Sequence, residues 1–408
     1  MANTNIENNI DDIESSPQGV ESENDEFQPF DPEKISIDTK GITMDTCLRR
    51  LEQATIILNP DFQRNEVWTH EKKCRLIESL MLKIPLPMFY VSADEKGHFY
   101  VVDGLQRLST IRSFVLGDEY LKTKNLSLKG QGFGLNELEF WGDKYNGLIF
   151  NDLPTNIQNR ILETEFTFTI INPGTPEEVK RNIFKRINTG GEPLTPQEIR
   201  HALYIGESTK LLLRLSLTSN FLQATGSSVK SDRMMDRELI LRYLAFTIRS
   251  HTNYSKNNDM DTFLSDTMRI INIMPDFDEK ESAKIFKDGV LKEHVLIKDI
   301  PMLETLFSLA MRRVYDIFGE HAYRKSYEGK RRTPINKALF EVWSSIFAGL
   351  DNTKFEHLKN NKTSFLREYN KLLESDNFNY IISRDSLKFQ SVKDRYKTLI
   401  ELLNKYIQ

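Results

Sequence analysis

Within residues 98–111 the string HFYVVDGLQRLSTI changes its hydrophobic period in the space of one dipeptide. Phe99 to Val102 form a short aromatic and β-branched run, as a strand requires. Leu105, Leu108, Ile111, Phe114 and Val115 then recur at helical spacing, with Asp103-Gly104 between the two patterns. A strand that feeds a helix with no linker confines both to one packed layer of sheet and helix. The first turn of such a helix presents N–H groups without intrahelical partners and the positive end of the dipole, which together make an anion site. Gly104 lets backbone approach a ligand closely, and the fork of Arg107 suits phosphate oxygens beside Gln106. Ser109 and Thr110 add hydroxyl donors, and Asp103 suits a metal ion beside that phosphate. The same residues also fit a purely structural role, in which Asp103 caps the helix, Gly104 turns the chain and Arg107 lies in water.

The flanking sequence continues the mixed pattern from about residue 40 to 210. Thr69 is placed to cap a helix whose face carries Cys74, Ile77, Leu80 and Met81, stopping before Pro85 and Pro87. The run MFYV, the turn ADEKG and the run HFYVV predict two strands, and EFTFTII at 165–171 alternates like a half-buried strand. Thr175-Pro176-Glu177-Glu178 and Thr195-Pro196-Gln197-Glu198 each predict a capping box with proline at the first helical position. Beyond about 211, amphipathic helices are expected at 236–249, 261–274, 301–318, 334–349 and 390–407. The fold class is therefore α+β: a mixed domain over 34–210, an all-helical domain over 211–408, and a tail over 1–33. That tail holds ten of the 59 acids and no Lys or Arg, a composition that favours disorder. The rest of the chain, with 55 basic and 49 acidic residues, is mildly basic, which permits polyanion binding without requiring it.

Three further segments carry candidate residues. In NPDFQRNEVWT at 59–69, Gln63 and Arg64 sit between the aromatic Phe62 and Trp68, a combination that can clamp a base or phosphate. Trp68 equally suits a core position. In FKRINTGGEPLTPQEIRHALY at 184–204, Arg186, Asn188 and the paired Gly190 and Gly191 can close over a ligand, with Arg200 inside the next helix. In AYRKSYEGKRRTPINK at 322–337, Arg324, Lys325, Lys330, Arg331 and Arg332 mix with Tyr323 and Tyr327, as nucleic-acid surfaces do. A solvated loop has the same composition.

Several chemistries lack their residues. The seven histidines form no HxxxH pair and no Cys/His ligand spacing, and neither a Walker A string nor a Gly-x-Ser-x-Gly elbow occurs. Two cysteines, Cys47 and Cys74, are too few for a disulfide framework, and a reduced cytoplasmic protein is expected. No apolar run is long enough for a bilayer, so no membrane partner is expected.

Taken in order, NPDFQRNEVW, LIESLMLKIPLPMFYV, VVDGLQRLSTIRSF, FKRINTGGEPLTPQEIRHALY and DRELILRYLAF resemble the N-terminal domain of GmrSD-type modification-dependent restriction systems. The resemblance covers about 40–250, and INKALFEVW extends it to about 345. It implies a ParB/sulfiredoxin-like fold, binding and hydrolysis of a nucleoside triphosphate with Mg2+, and a role in bacterial defence against foreign DNA. The family signature Asp-Gly-Gln-Gln-Arg stands here as Asp103-Gly104-Leu105-Gln106-Arg107, with leucine in place of the first glutamine. The resemblance assigns Asp103, Gln106 and Arg107 to catalysis, and Gln63, Arg64, Gly104, Thr110, Arg186, Asn188 and Arg200 to the nucleotide. Nuclease-bearing members carry a His-Asn-His arrangement after the helical part, and 350–408 has none. A separate nuclease subunit is the implied partner. The alternative is a non-enzymatic ParB-like module that grips DNA through 324–337 or docks a partner, acting with a separate nuclease.

Overall fold

The computed structural model describes residues 19–21, 36–58, 68–187, 194–254, 259–276, 285 and 295–407. The chain divides into two compact units, residues 29–203 and residues 1–28 together with 204–408. The first is a mixed sheet with helices and the second is largely helical, so the α+β class is as expected.

In the first unit, β1 (Ile37–Thr43), β2 (Ile56–Ile57), β3 (Phe89–Ala93), β4 (Phe99–Asp103) and β5 (Glu165–Ile171) form one sheet in the order β1-β5-β3-β4-β2. The β1–β5 and β3–β4 pairs are antiparallel, and β3–β5 and β2–β4 are parallel. The β3–β4 hairpin is closed by Asp94, whose carboxylate accepts the backbone N–H groups of Lys96 and His98 at 2.9 Å each. Phe89, Phe166 and Phe168 pack ring against ring at 5.2–5.3 Å and form the centre of the sheet's buried face. Burying one such ring contributes roughly 2–3 kcal/mol.

The principal helices of this unit are α1 (Met44–Glu52), α2 (His70–Met81), α3 (Leu105–Leu116), α4 (Thr155–Leu162), α5 (Glu177–Ile187) and α6 (Pro196–Leu203). Thr69 caps α2, accepting from Lys72 N at 3.3 Å, and Cys74, Ile77, Leu80 and Met81 are all fully buried. Glu78 on the same helix is also buried, and its carboxylate accepts three consecutive backbone N–H groups, from Glu139, Phe140 and Trp141, at 2.8–2.9 Å. A buried carboxylate satisfied in this way fixes an otherwise irregular loop to the helix. The expected capping box at Thr195 forms: Glu198 N donates to Thr195 Oγ1 at 3.2 Å, and Thr195 N to Glu198 Oε2 at 2.6 Å. At Thr175 the hydroxyl instead donates to the Ser36 carbonyl at 3.0 Å and so ties two chain segments together.

The principal helices of the second unit are α7 (Met235–Ile248), α8 (Met260–Asn272), α9 (Ile300–Phe318), α10 (Lys337–Gly349) and α11 (Phe389–Asn404). These lie within a few residues of the expected spans. Five more helices among the described residues, Glu207–Ser216, Ser219–Thr225, Asn352–Asn360, Lys362–Leu373 and Asp376–Ser383, were not anticipated. Every residue of α7 from Asp236 to Ile248 is buried, so this helix is enclosed on all sides. It carries charge inward nonetheless. Arg242 bridges Glu238 and Glu341 at 3.3 Å each, Lys337 meets Glu238 at 2.9 Å, and Arg395 pairs with the other oxygen of Glu341. Arg395 and Glu341 are completely buried. Trp343, Phe318, Phe347, Phe365 and Tyr369 form the neighbouring aromatic core, with Trp343 Nε1 donating to Tyr369 at 3.1 Å.

Removing one partner from a buried pair leaves the other charge uncompensated, at a cost of about 3–5 kcal/mol. Glu341→Gln is therefore expected to lower the unfolding free energy of the helical unit by that amount, measured by denaturant titration followed by far-UV circular dichroism. A pH effect comes from His251, whose ring stacks on Tyr396 at 4.2 Å and whose pKa is pushed down by burial. The unfolded chain takes up this proton first, so the contribution is complete above about pH 6.5 and is lost as the pH falls below it. His251→Phe should flatten the fall in stability as the pH drops below about 6.5, measured by urea titration at a series of pH values.

Candidate functional site

The site is built where β4 gives way to α3. Tyr90 pairs with Asp103, and the β3–β4 register is irregular between Tyr90 and Val91. Gly104 then turns the chain at φ +92° and is the N-cap residue of α3. A Cβ at this position would overlap the ring of Phe89. The glycine expected to admit a ligand therefore also admits an aromatic side chain of the core.

No side chain caps α3, so its first-turn N–H groups keep their positive field for another partner. Asp103 does not cap. Its Oδ2 accepts from Arg107 Nη2 at 3.0 Å, and its side chain is 32% exposed. Arg107 is neither in water nor held out as a fork. Its Nη1 donates to the Pro87 carbonyl, its Nη2 to the Met88 carbonyl at 3.1 Å, and its guanidinium lies 4.5 Å above the Phe89 ring. Burial lowers its pKa and Asp103 raises it back, leaving it a cation at any physiological pH. Gln106 is half-buried, and its side chain makes no hydrogen bond with the described residues.

The helix α6 packs against β4. It brings Gln197, Arg200 and His201 into the interior, each no more than 2% exposed, with Arg200 Nε donating to Gln197 Oε1 at 2.9 Å. Arg200 is thus a buried residue behind the strand that ends in Asp103. Gln197 and His201 were not singled out in the sequence. The signal available was three polar residues in a helix whose apolar positions are too few to cover it.

Of the other expected nucleotide contacts, Thr110 and Arg186 lie among the described residues. Thr110 is 2% exposed, a buried residue of α3. Arg186 is exposed at the end of α5. Gln63, Arg64 and Asn188 lie outside the described residues. Trp68 is half-buried.

In the second unit, the basic cluster is largely neutralised. Arg324, expected at a nucleic-acid surface, is 5% exposed and donates to the Thr333 and Thr225 carbonyls and to Ser228 Oγ, a structural set of bonds. Lys325 pairs with Glu21 at 2.8 Å, Lys330 with Glu374 at 2.9 Å and Arg332 with Glu320 at 2.5 Å. Arg331 is exposed. Among the described residues no group of three or more His, Cys, Asp or Glu gathers to hold a metal, and no helix is long and apolar enough to cross a membrane. Both cysteines are buried thiols, and burial pushes Cys47 up to about 12.

The corner described here falls inside a segment, residues 48–205, that matches the family model of the GmrSD restriction endonuclease N-terminal domain. Residues 48–205 are thus similar to that domain, over less than half of the chain. No curated protein and no solved structure matches the chain. Within the matched segment, the departure from the expected signature falls at Leu105, which is 7% exposed. The leucine thus stands at a position turned toward the core, while Asp103 and Gln106 keep the accessible side.

Gly104→Ala combines a left-handed backbone with the overlap on Phe89, and is expected to destabilise the first unit by about 2 kcal/mol or more. Chemical denaturation followed by tryptophan fluorescence checks this, and an unchanged midpoint would contradict the packing described.

Proposed function

We propose that the GmrSD N-terminal domain of this chain, on a ParB/sulfiredoxin-like fold, binds a nucleoside triphosphate with Mg2+ at the β4–α3 corner and couples its hydrolysis to restriction of foreign DNA. The observation that carries this reading is an uncapped helix start beside a carboxylate that is half satisfied. Asp103 spends one oxygen on Arg107, and its other oxygen has no partner among the described residues. Mg2+ is commonly held by one or two carboxylates together with substrate phosphates, so a single oriented carboxylate fits it. When bound, the metal would offset phosphate charge.

The chain's own residues do the rest. First-turn amides of α3 receive phosphate oxygens, and the Gln106 amide reaches the same anion or orients a water. Arg107 acts through others. It holds Asp103 in place and ties the Pro87–Met88 segment over the corner, so it is a positioning residue. Strand cleavage belongs to a separate nuclease subunit in this reading, and DNA is the target of the system rather than a ligand of the 324–337 cluster, whose charges are mostly paired.

Titration calorimetry of the full chain with ATP and GTP tests the assignment. Asp103→Asn should weaken binding about tenfold, or 1.4 kcal/mol, with Mg2+ present, and leave binding unchanged or tighter without it, because the carboxylate repels bare phosphate. Gln106→Ala should weaken both. Absence of Mg2+-dependent binding to the unmodified chain ends the reading.

A further inference from the structure

Gly19, Val20 and Glu21 come from a tail whose composition favours disorder, yet they are seated within the helical unit. Val20 forms a parallel bridge with Ile335 and is 3% exposed. Glu21 N donates to the Ile335 carbonyl at 2.9 Å, and Ile335 N to the Gly19 carbonyl at 3.0 Å. Gly19 adopts φ +71°, and a Cβ there would overlap the Ser228 carbonyl oxygen. Glu21 Oε2 accepts from Lys325 Nζ and from Asn336 Nδ2, both at 2.8 Å. Each of the three positions is thus selected by a different property: no side chain, an aliphatic side chain, and a carboxylate.

The walls of the seat hold one another without the tail. Asn336 caps α10 by accepting from Leu339 N at 2.9 Å, donates to the Ile382 carbonyl at 2.8 Å, and donates its own N–H to the Tyr323 carbonyl at 2.9 Å. Arg324 fixes the Ser228 side, bonding the Thr225 carbonyl at 3.0 Å and Ser228 Oγ at 2.8 Å. The receptor is therefore preorganised. Its occupant fits incompletely, because Glu21 Oε1 is buried and has no partner among the described residues. Main-chain pairing for affinity with side-chain pockets for selectivity is the logic of strand-addition peptide recognition. A nucleic acid offers nothing for the Val20 pocket.

We propose that this seat is a recognition groove for an extended peptide of the pattern glycine–aliphatic–acid, that Gly19–Glu21 is its resident occupant in cis, and that a partner protein presenting the same pattern displaces it. The ordering of three residues opposes one buried side chain, two main-chain bonds and one ion pair, terms of similar size, so exchange is open to a competitor.

The test uses a fluorescent synthetic peptide of residues 17–23 and full-length protein, read by anisotropy. Val20→Asp or, independently, Glu21→Lys in the chain evicts the resident segment, and either variant should bind the peptide at least tenfold tighter than the unmodified chain. A peptide carrying Glu21→Lys should not bind the Val20→Asp chain, but should bind once Lys325→Glu is added to it. Equal affinity of the unmodified and evicted chains, or binding indifferent to Lys325→Glu, overturns the proposal. So does an evicted chain that gains affinity for duplex DNA and none for the peptide.

Discussion

The contact on which the first unit's working corner depends is the guanidinium of Arg107 lying over the Phe89 ring. From that position one cation reaches three acceptors: two carbonyls of the Pro87–Met88 segment and the carboxylate of Asp103. The face of the ring supplies an electrostatic floor for the charge, and the carbonyls hold the chain leading into β3. Without the guanidinium, Asp103 would lose the bond that fixes its rotamer, and Pro87–Met88 would lose its tie to the helix. The glycine that follows is forced by the same ring. Geometry at the end of β4 is thus set from beneath, by the core, before any ligand is considered.

Charge is used differently in the helical unit. There Glu238, Arg242, Lys337, Glu341 and Arg395 are buried together and pair with one another. Such a network adds little net stability over well-packed apolar residues, but each member penalises any packing that separates it from its partners. Three helices from distant parts of the sequence are brought into one register by this requirement. The first unit's buried carboxylate, Glu78, works on backbone N–H groups instead and holds a loop rather than a helix.

Much of this was legible in the sequence where one face of an element is buried. Cys74, Ile77, Leu80 and Met81 marked α2, and the paired runs around ADEKG marked the β3–β4 hairpin, because burial imposes a period on the residues. The strand β1 was not legible for the converse reason: of its seven residues only Ile42 is buried, so nothing distinguishes it from a polar loop. The two-residue β2 is too short to show a period. At the site, the strand–glycine–helix junction was readable, but the direction of Arg107 was not. Spacing places a side chain on a helix face, whereas its partners here lie 19 and 20 residues upstream. Arg324 misled for a related reason, since its acceptors at Thr225 and Ser228 are nearly a hundred residues away. Composition cannot separate a cation that meets solvent from one that meets carbonyls.

The seating of Val20 and Glu21 has a consequence for how the protein comes into being. Glu21 and Asn336 are 315 residues apart in the chain. Translation at roughly 5–20 residues per second leaves an interval on the order of 15–60 s between the appearance of one and of the other. Throughout that interval Val20 and Glu21 have no seat to receive them, and the whole sheet-bearing unit is synthesised within it. Any factor that captures them must outcompete nothing during synthesis, and a tethered rival afterwards.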